Sequence, residues 1–168
     1  MTCCTRFLAV LVLMAVSSCA GVQHDPSPER EALSRVAAVH GGAGPWVVAG
    51  YRMGVHALQE LGLSAGNFNL EVVHHSPTQV QYACVADGAA AATGASLGKL
   101  NLSRVDTTSP DGVFTTFRDR TTGKTVTLKP AARFTERYLN VPRERLAEAG
   151  REVLTLPAAE VFEVVTAQ

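Results

Sequence analysis

The chain has no surplus of charge of either sign, because its 168 residues carry 15 Lys and Arg against 15 Asp and Glu. A basic excess is what polyanion-binding surfaces display, so this balance gives no indication of a nucleic-acid partner or of a polybasic membrane-binding surface. The residues are 46% hydrophobic and 18% charged, which is typical of a globular protein and excludes a disordered or fibrous one.

No apolar run is long enough to cross a bilayer, which takes about 20 residues. The run from Phe7 to Val16 follows a single cation, Arg6, and has the length of the hydrophobic core of an export signal. It ends in Val16-Ser17-Ser18-Cys19-Ala20, where small residues directly precede a cysteine as in a bacterial lipobox. We therefore expect residues 1–18 to be a signal peptide and Cys19 to be lipidated. Cleavage of an ordinary signal peptide near Cys19 or Ala20 is the alternative.

These expectations place the protein outside the cytoplasm. A lipid on Cys19 would anchor it to the periplasmic side of a bacterial membrane, and Ala20 in the next position favours the outer membrane. Residues 19–30 are polar and contain two prolines, so we expect them to form a tether. Residues 31–168 then make up the folded domain.

Cysteines are too few for a disulfide framework. Removal of the signal peptide leaves Cys19 and Cys84, and a lipidated Cys19 leaves Cys84 without a partner in the chain. Cys84 is then either a small buried hydrophobic residue or a metal-binding or reactive thiol.

Helix and strand signals alternate without a regular βαβ period, and no internal repeat occurs. A serine cap, prolines at helix starts and glycines at helix ends mark the helices. The predicted elements are a helix from Ser27-Pro28 to about Val39, a helix from Pro45 to Gly62, a strand over Phe68–Val73, a helix over 78–93 stopped by Gly94, a hairpin over 113–128, a helix over 130–138, a helix over Pro142–Ala149 capped by Gly150, and a terminal strand over 161–165. This order predicts a single α+β or mixed α/β domain with a mixed sheet, a β-hairpin and packed helices.

One candidate site is the glycine-rich turn His40-Gly41-Gly42-Ala43-Gly44, which leads into a helix at Pro45. Three glycines in four residues expose backbone N–H groups, and a helix N-terminus favours anions. His40, Gly41 and Gly42 are therefore candidate ligand-binding residues. A tight turn that needs glycine for its geometry alone explains the pattern equally well. No Gly-Lys-Ser/Thr follows, so the turn is not a P-loop.

A second candidate site follows the first strand. His74 and His75 end that strand, and their side chains point to opposite faces, so we expect one of them at most to enter a site. Cys84 and Asp87 are three residues apart and share a helix face, and Lys99 follows a glycine turn. Asp87 either orients a histidine or pairs with Lys99. No base and third group can be assigned to Ser76, Ser96 or Cys84, which excludes a hydrolase triad.

In their order and spacing, these motifs resemble the FmdE domain of formylmethanofuran dehydrogenase. The resemblance covers about residues 33–165. The residues that carry it are His40-Gly41 with Pro45, Gly50 to Gly54, Cys84 with Asp87, Thr93-Gly94, Gly98-Lys99 and Asn101-Leu102. It implies a homodimer, with the alanine-rich helix after Cys84 near the interface or the site. Oxidation of formylmethanofuran is not expected, because that reaction belongs to a cytoplasmic complex of several proteins and this chain carries an export signal.

The family opening, His-x-His-x-Cys-Pro-Gly, implies a zinc-like metal held by imidazole and thiolate. Here Gly42, Gly44 and Trp46 stand at the second histidine, the cysteine and the last glycine, and Ala90 and Ala95 replace two further polar family residues. The resemblance then leaves His40, His74, His75 and Cys84 as candidate ligands of zinc or another divalent metal.

Three hypotheses follow for the pocket between the glycine turn and the Cys84–Lys99 segment. The first is a reduced metal site made by His40, Cys84 and one of His74 or His75. The second is a metal-free pocket that binds a small ligand through His40, Gly41, Gly42, Asp87 and Lys99. The third is a structural or interaction lipoprotein that keeps the fold without the chemistry. The sequence leaves open whether the protein is an enzyme.

Overall fold

The computed structural model describes residues 27–165. The expected signal peptide, Cys19 and most of the expected tether lie outside them. Within the described residues the chain forms one α+β domain, as expected. The helices are α1 (Pro28–His40), α2 (Pro45–Leu61), α3 (Val80–Thr93), α4 (Ala132–Tyr138), α5 (Leu146–Thr155) and α6 (Ala158–Val161), and the strands are β1 (Leu70–Ser76), β2 (Leu102–Asp106), β3 (Phe114–Asp119), β4 (Thr125–Pro130) and β5 (Phe162–Val164).

The five strands form a mixed sheet in the order β2-β1-β3-β4-β5. β1 and β2 run parallel, with Val72 opposite Leu102, and the other neighbouring pairs are antiparallel. Gly123 occupies the turn between β3 and β4 at a φ of 79°, which a side chain with a Cβ rarely adopts. The predicted mixed sheet and hairpin are both confirmed.

Most helix limits follow the local signals in the sequence. The Ser27 hydroxyl accepts a hydrogen bond from the Arg30 N–H at 3.4 Å and caps α1. Gly62 and Gly94 end α2 and α3 in the left-handed conformation. α1 begins at Pro28, so the last residues of the expected tether are already helical.

Helices α2 and α3 touch backbone to backbone on one face of the sheet. A Cβ on Gly50 would lie 2.1 Å from the Val85 carbonyl oxygen, and a Cβ on Gly88 would lie 1.9 Å from the Val47 carbonyl oxygen. Neither distance admits an atom, so only glycine allows this approach. Farther along, Gly54 lies against Ala92, which shows that the two helices run in the same direction.

Two sequence predictions need correction. Helix α5 does not stop at Gly150 but continues to Thr155. Gly150 is needed because a Cβ there would lie 1.8 Å from the carbonyl oxygen of Ala43 in the glycine-rich turn. β1 also extends to Ser76, so His74 and His75 lie within the strand and not at its end. None of the helices described between residues 27 and 165 has the length and apolar composition needed to cross a membrane.

Candidate functional site

His40 and Asp87 form the polar centre of the candidate site. His40 ends α1 and Asp87 lies in the second turn of α3, and their Nδ1 and Oδ2 atoms are 2.8 Å apart. The side chains are 27% and 46% exposed, so water reaches both of them. Asp87 therefore orients His40, which is one of the two roles that the sequence suggested for it. The Nε2 atom of the His40 ring takes no part in this contact.

Cys84 lies one turn before Asp87 and is buried. Its Sγ donates a hydrogen bond to the Gln81 carbonyl oxygen at 3.1 Å. Burial, together with the nearby Asp87 charge, raises the pKa of the Cys84 thiol to about 12. The thiol is thus protonated at neutral pH, which makes it a poor nucleophile.

His74 is a fully buried core residue and not part of the site. Its Nε2–H donates to the Tyr82 carbonyl oxygen at 3.1 Å, and its Nδ1 accepts from the Thr115 hydroxyl at 2.8 Å. Burial lowers the pKa of His74 to about 4, so the ring is neutral. His75 points to the opposite face of the sheet, as expected, and stacks on Phe114 at 4.1 Å between ring centroids.

The expected metal ligands are not brought together. In the part of the chain that the structure describes, no three His, Cys, Asp or Glu side chains come close enough to hold a metal ion. Both ring nitrogens of His74 are engaged in the core and His75 faces away, so of the four expected ligands His40 and Cys84 alone border a common cavity. Zinc sites use at least three protein ligands, so the residues present do not fit a protein-held metal.

Lys99 also lies elsewhere. Its Nζ donates to the Gly94 carbonyl oxygen at 2.8 Å and so caps the C-terminal end of α3. Asp87 does not pair with it. His40 contacts Asp87, so about half of the 14-residue helix α3 separates it from Lys99. Lys99 therefore lines neither of the two cavities that border His40.

The largest cavity beside His40 has a volume of about 600 Å³, and we call it the loop pocket. The glycine-rich turn, the start of α3 and the segment that joins α4 to α5 enclose it. Its polar side chains include His40, Gln81, Cys84, Tyr138 and Arg143, and its larger apolar ones include Leu139, Val141 and Leu146. The last turn of α4 is fixed to the pocket floor, because the Trp46 Nε1–H donates to the Tyr138 carbonyl oxygen at 2.9 Å.

A buried donor in the pocket wall has no partner. The Gln81 Nε2 atom is shielded from water and makes no hydrogen bond to any described residue. An unmatched buried amide costs about 1–3 kcal/mol, which rotation of the side chain toward an acceptor in the pocket would recover. Arg143, in the same lining, forms no ion pair within residues 27–165.

The sequence also matches a protein family. A family model described as "FmdE, Molybdenum formylmethanofuran dehydrogenase operon" matches residues 39–163. The chain belongs to the FmdE family. The match spans most of the sequence and the whole candidate site, from His40 to Arg143. No curated protein matches the chain.

This FmdE chain has a second opening on the other side of His40. Its volume is about 310 Å³, and it contains Asp87 and Arg104 beside the exposed side chains of Val80 and Leu97. His40, Val80 and Cys84 border both cavities. The His40–Asp87 pair therefore stands on the ridge between two open spaces.

Sequence patterns do not mark three residues of the FmdE site. Gln81 belongs to no recognisable motif, and Tyr138 is assigned only to a predicted helix. Arg143 lies in a run of acids and bases that is typical of a solvated face. Their role becomes visible only when the fold places the α4–α5 segment across the glycine-rich turn.

Proposed function

We propose that this FmdE protein is an exported, lipid-anchored binding protein that holds a small organic anion in the loop pocket. The observation that carries the proposal is the Gln81 Nε2 donor, which is buried in the pocket wall without a partner among the described residues. Gln81 lines the pocket, so rotation of its side chain toward a ligand acceptor there would remove the cost of leaving this amide unpaired.

The charge of the ligand follows from the rest of the wall. Arg143 lines the pocket and supplies a cation that no described carboxylate neutralises. The 17-residue helix α2 begins at the pocket with Gly44 as its N-cap, and no side chain caps it. Its first N–H groups carry the positive end of the helix dipole. A carboxylate or phosphate group suits both features.

The volume and the apolar lining of the loop pocket indicate the chemistry of the ligand beyond its anionic group. A volume of about 600 Å³ falls within the range of small-molecule sites. Leu139, Val141 and Leu146 offer an apolar wall next to these polar groups. The proposed ligand is therefore a carboxylate or phosphate monoester with an apolar body.

His40 contributes a polar atom of fixed orientation. Its Nδ1 is held by Asp87, so Nε2 is available to a ligand in either cavity. Cys84 is buried and protonated, so it forms part of the pocket wall and does not act as a nucleophile. The proposal is therefore one of binding, without a covalent step and without a protein-held metal.

The binding experiment uses the mature chain after treatment with a chelator. Thermal shift and calorimetry are measured with short-chain and aromatic carboxylates and with phosphate monoesters. One of these anion classes is expected to stabilise the protein, and Gln81→Met and Arg143→Gln are each expected to weaken its binding about tenfold. Arg133→Gln is the matched control, because Arg133 is exposed on α4 outside the pocket.

Equal losses in the Arg133 and Arg143 variants would contradict the proposed site. Stabilisation that appears only after zinc or another divalent metal is added back would contradict the metal-free pocket. It would favour instead the reduced metal site, the first of the three hypotheses drawn from the sequence.

Lipid anchoring is tested separately. After a high-salt wash, which removes proteins held by charge alone, the wild-type protein is expected to stay in the membrane fraction of its host, and Cys19→Ser is expected to be released to the soluble fraction. Unchanged membrane association of the Cys19→Ser variant would show that residue 19 is not the anchor.

A second candidate function is an interaction module that keeps the fold without ligand chemistry. It is favoured by the exposed apolar side chains of Val80 and Leu97 beside the smaller opening, which a second copy of the chain can cover. Sedimentation analysis would then show a homodimer that Val80→Ser dissociates, and no anion would shift the melting temperature. A monomer at all concentrations would contradict this candidate.

A further inference from the structure

The end of the molecule opposite the loop pocket is held together by a set of cross-links, and we call it the hairpin end. Helices α2 and α3 run toward it from the pocket. There the Gly66 N–H donates to the Thr93 carbonyl oxygen at 2.7 Å, and Arg120 in the β3–β4 turn donates to the Leu100 carbonyl oxygen at 2.9 Å. Lys124 in the same turn bonds the Glu60 carbonyl at the end of α2.

Two large apolar side chains project from this end into solvent. Phe68 is 68% exposed and Leu100 is 83% exposed. Leu100 also has a φ of 54°, in the left-handed region that a leucine rarely adopts. This conformation ends the short 3-10 helix Leu97–Lys99, where the Leu100 N–H donates to the Leu97 carbonyl oxygen at 3.0 Å, and it holds the apolar side chain out in water.

Lys99 and Lys124 supply two cations at the hairpin end. The Lys99 Nζ lies 5.1 Å from the centre of the Phe68 ring, a cation–π distance. Neither Lys99 nor Lys124 pairs with a carboxylate among the residues described. Apolar side chains with flanking ammonium groups suit the interface of a bilayer that contains anionic lipids, where the rings and aliphatic chains enter and the charges meet headgroups.

Helix α1 directs the N-terminal segment toward the same end. His40 ends α1 beside Asp87, and a connection of residues 41–44 folds α2 back from there. Val80 at the start of α3 is 80% exposed, so α1 does not continue over that part of α3. α1 therefore runs from His40 toward the C-terminal end of α3, and Ser27 and Pro28 lie on the side of the hairpin end.

We propose that Phe68 and Leu100 insert into the headgroup region of an anionic bilayer, with Lys99 and Lys124 on lipid phosphates. The inference rests on the lipid anchor of the proposed function. Eight residues join Cys19 to Pro28 and span about 30 Å at most, so an anchored domain stays close to the membrane. This orientation turns the loop pocket away from the bilayer, toward the aqueous compartment.

The test uses the full mature chain with Cys19→Ser, which removes the lipid without touching the domain. Co-sedimentation is measured with vesicles of phosphatidylglycerol and phosphatidylethanolamine, and with vesicles of phosphatidylcholine alone. The protein is expected to bind the anionic vesicles and to lose about tenfold in affinity when Phe68→Ser and Leu100→Ser are combined. The control is Val39→Ser with Val105→Ser, two exposed valines away from the hairpin end, which are expected to leave binding unchanged.

Each possible outcome either supports or overturns the proposed membrane contact. Equal vesicle binding by the two double variants overturns the inference. So does self-association in the absence of vesicles that depends on Phe68 and Leu100, because a second copy would then be the partner. Failure of the proposed function looks different: anion binding in the loop pocket is measured without vesicles, and the Phe68 and Leu100 substitutions are expected not to change it.

Discussion

The Nδ1 atom of His40 lies 2.8 Å from the Oδ2 atom of Asp87, which joins the end of α1 to the second turn of α3 across 47 residues of sequence. The contact fixes the start of the glycine-rich turn, because Gly41 follows His40 directly. It also places a carboxylate near the Cys84 thiol, whose pKa it helps to raise. The pair thus sets both the geometry and the electrostatics of the candidate site.

Loss of the His40–Asp87 contact is expected to cost little stability. Both side chains are partly exposed, so Asp87→Ala should lower the free energy of unfolding by about 0.5–1 kcal/mol. Denaturant titration measures this, with Asp111→Ala as the control, since Asp111 has no ion-pair partner within the described residues. A loss of several kcal/mol would show that the contact is a core interaction and not a site feature.

Cys84 is expected to react slowly in the folded protein. A pKa of about 12 in place of 9.0 leaves roughly a thousandfold less thiolate at pH 8. Alkylation is measured in a chain with Cys3, Cys4 and Cys19 replaced by serine, where Cys84 is the only thiol. Asp87→Asn should speed the reaction, because it removes a charge that raises the pKa. Equal rates in folded and denatured protein would contradict the burial of this thiol.

Stability is expected to fall at mildly acidic pH because of His74. Burial holds the folded-state pKa of His74 at about 4, below 6.5 in the unfolded chain. The unfolded state therefore binds a proton first, so the contribution of neutral His74 is complete above pH 6.5 and is lost as pH falls toward 4. The loss amounts to about 3 kcal/mol over this window.

The measurement is the free energy of unfolding between pH 7 and pH 4. His74→Gln should flatten the pH dependence even though it destabilises the protein at pH 7. His75→Gln is the matched control. Burial lowers the pKa of His75 as well, but the His75 ring is less buried than that of His74. Identical slopes for wild type and the His74 variant would rule out this histidine as the source.

The crossing of α2 and α3 is expected to tolerate no side chain at Gly88. A methyl group there overlaps the Val47 carbonyl, so Gly88→Ala should cost about 3 kcal/mol or more, or prevent folding. Gly98→Ala is the control, because nothing lies within 4 Å of a Cβ at that position. Thermal melts of both variants measure the difference, and a small effect at Gly88 would mean that the two helices lie farther apart.

Local signals are enough for most of the fold. Ser27, Pro45, Gly62 and Gly94 act on their own neighbours through capping and backbone conformation, so the limits of the first three helices can be predicted from short stretches. The prediction of a helix end at Gly150 is wrong for the opposite reason. Glycine is needed at this position because the backbone packs directly against Ala43, which lies more than a hundred residues away in the chain.

The site is only partly predictable. Residue type marks His40, Cys84 and Asp87 as chemically capable, and the structure brings them into one neighbourhood. Residue type also marks His74 and Lys99, but hydrogen bonds to Tyr82 and Gly94 commit them to the core and to a helix end. Composition cannot reveal which polar groups the fold will satisfy internally.

By itself, the sequence determined the family, the α+β class and the ends of the early helices, because these depend on the order of motifs and on contacts between near neighbours. Tertiary structure alone decided that the glycine-rich turn faces Gln81 and Arg143, and that His74 is a core residue. Burial and the pairing of polar groups depend on segments that are distant in the chain. The free energy of a buried donor or charge therefore has no counterpart in a local pattern.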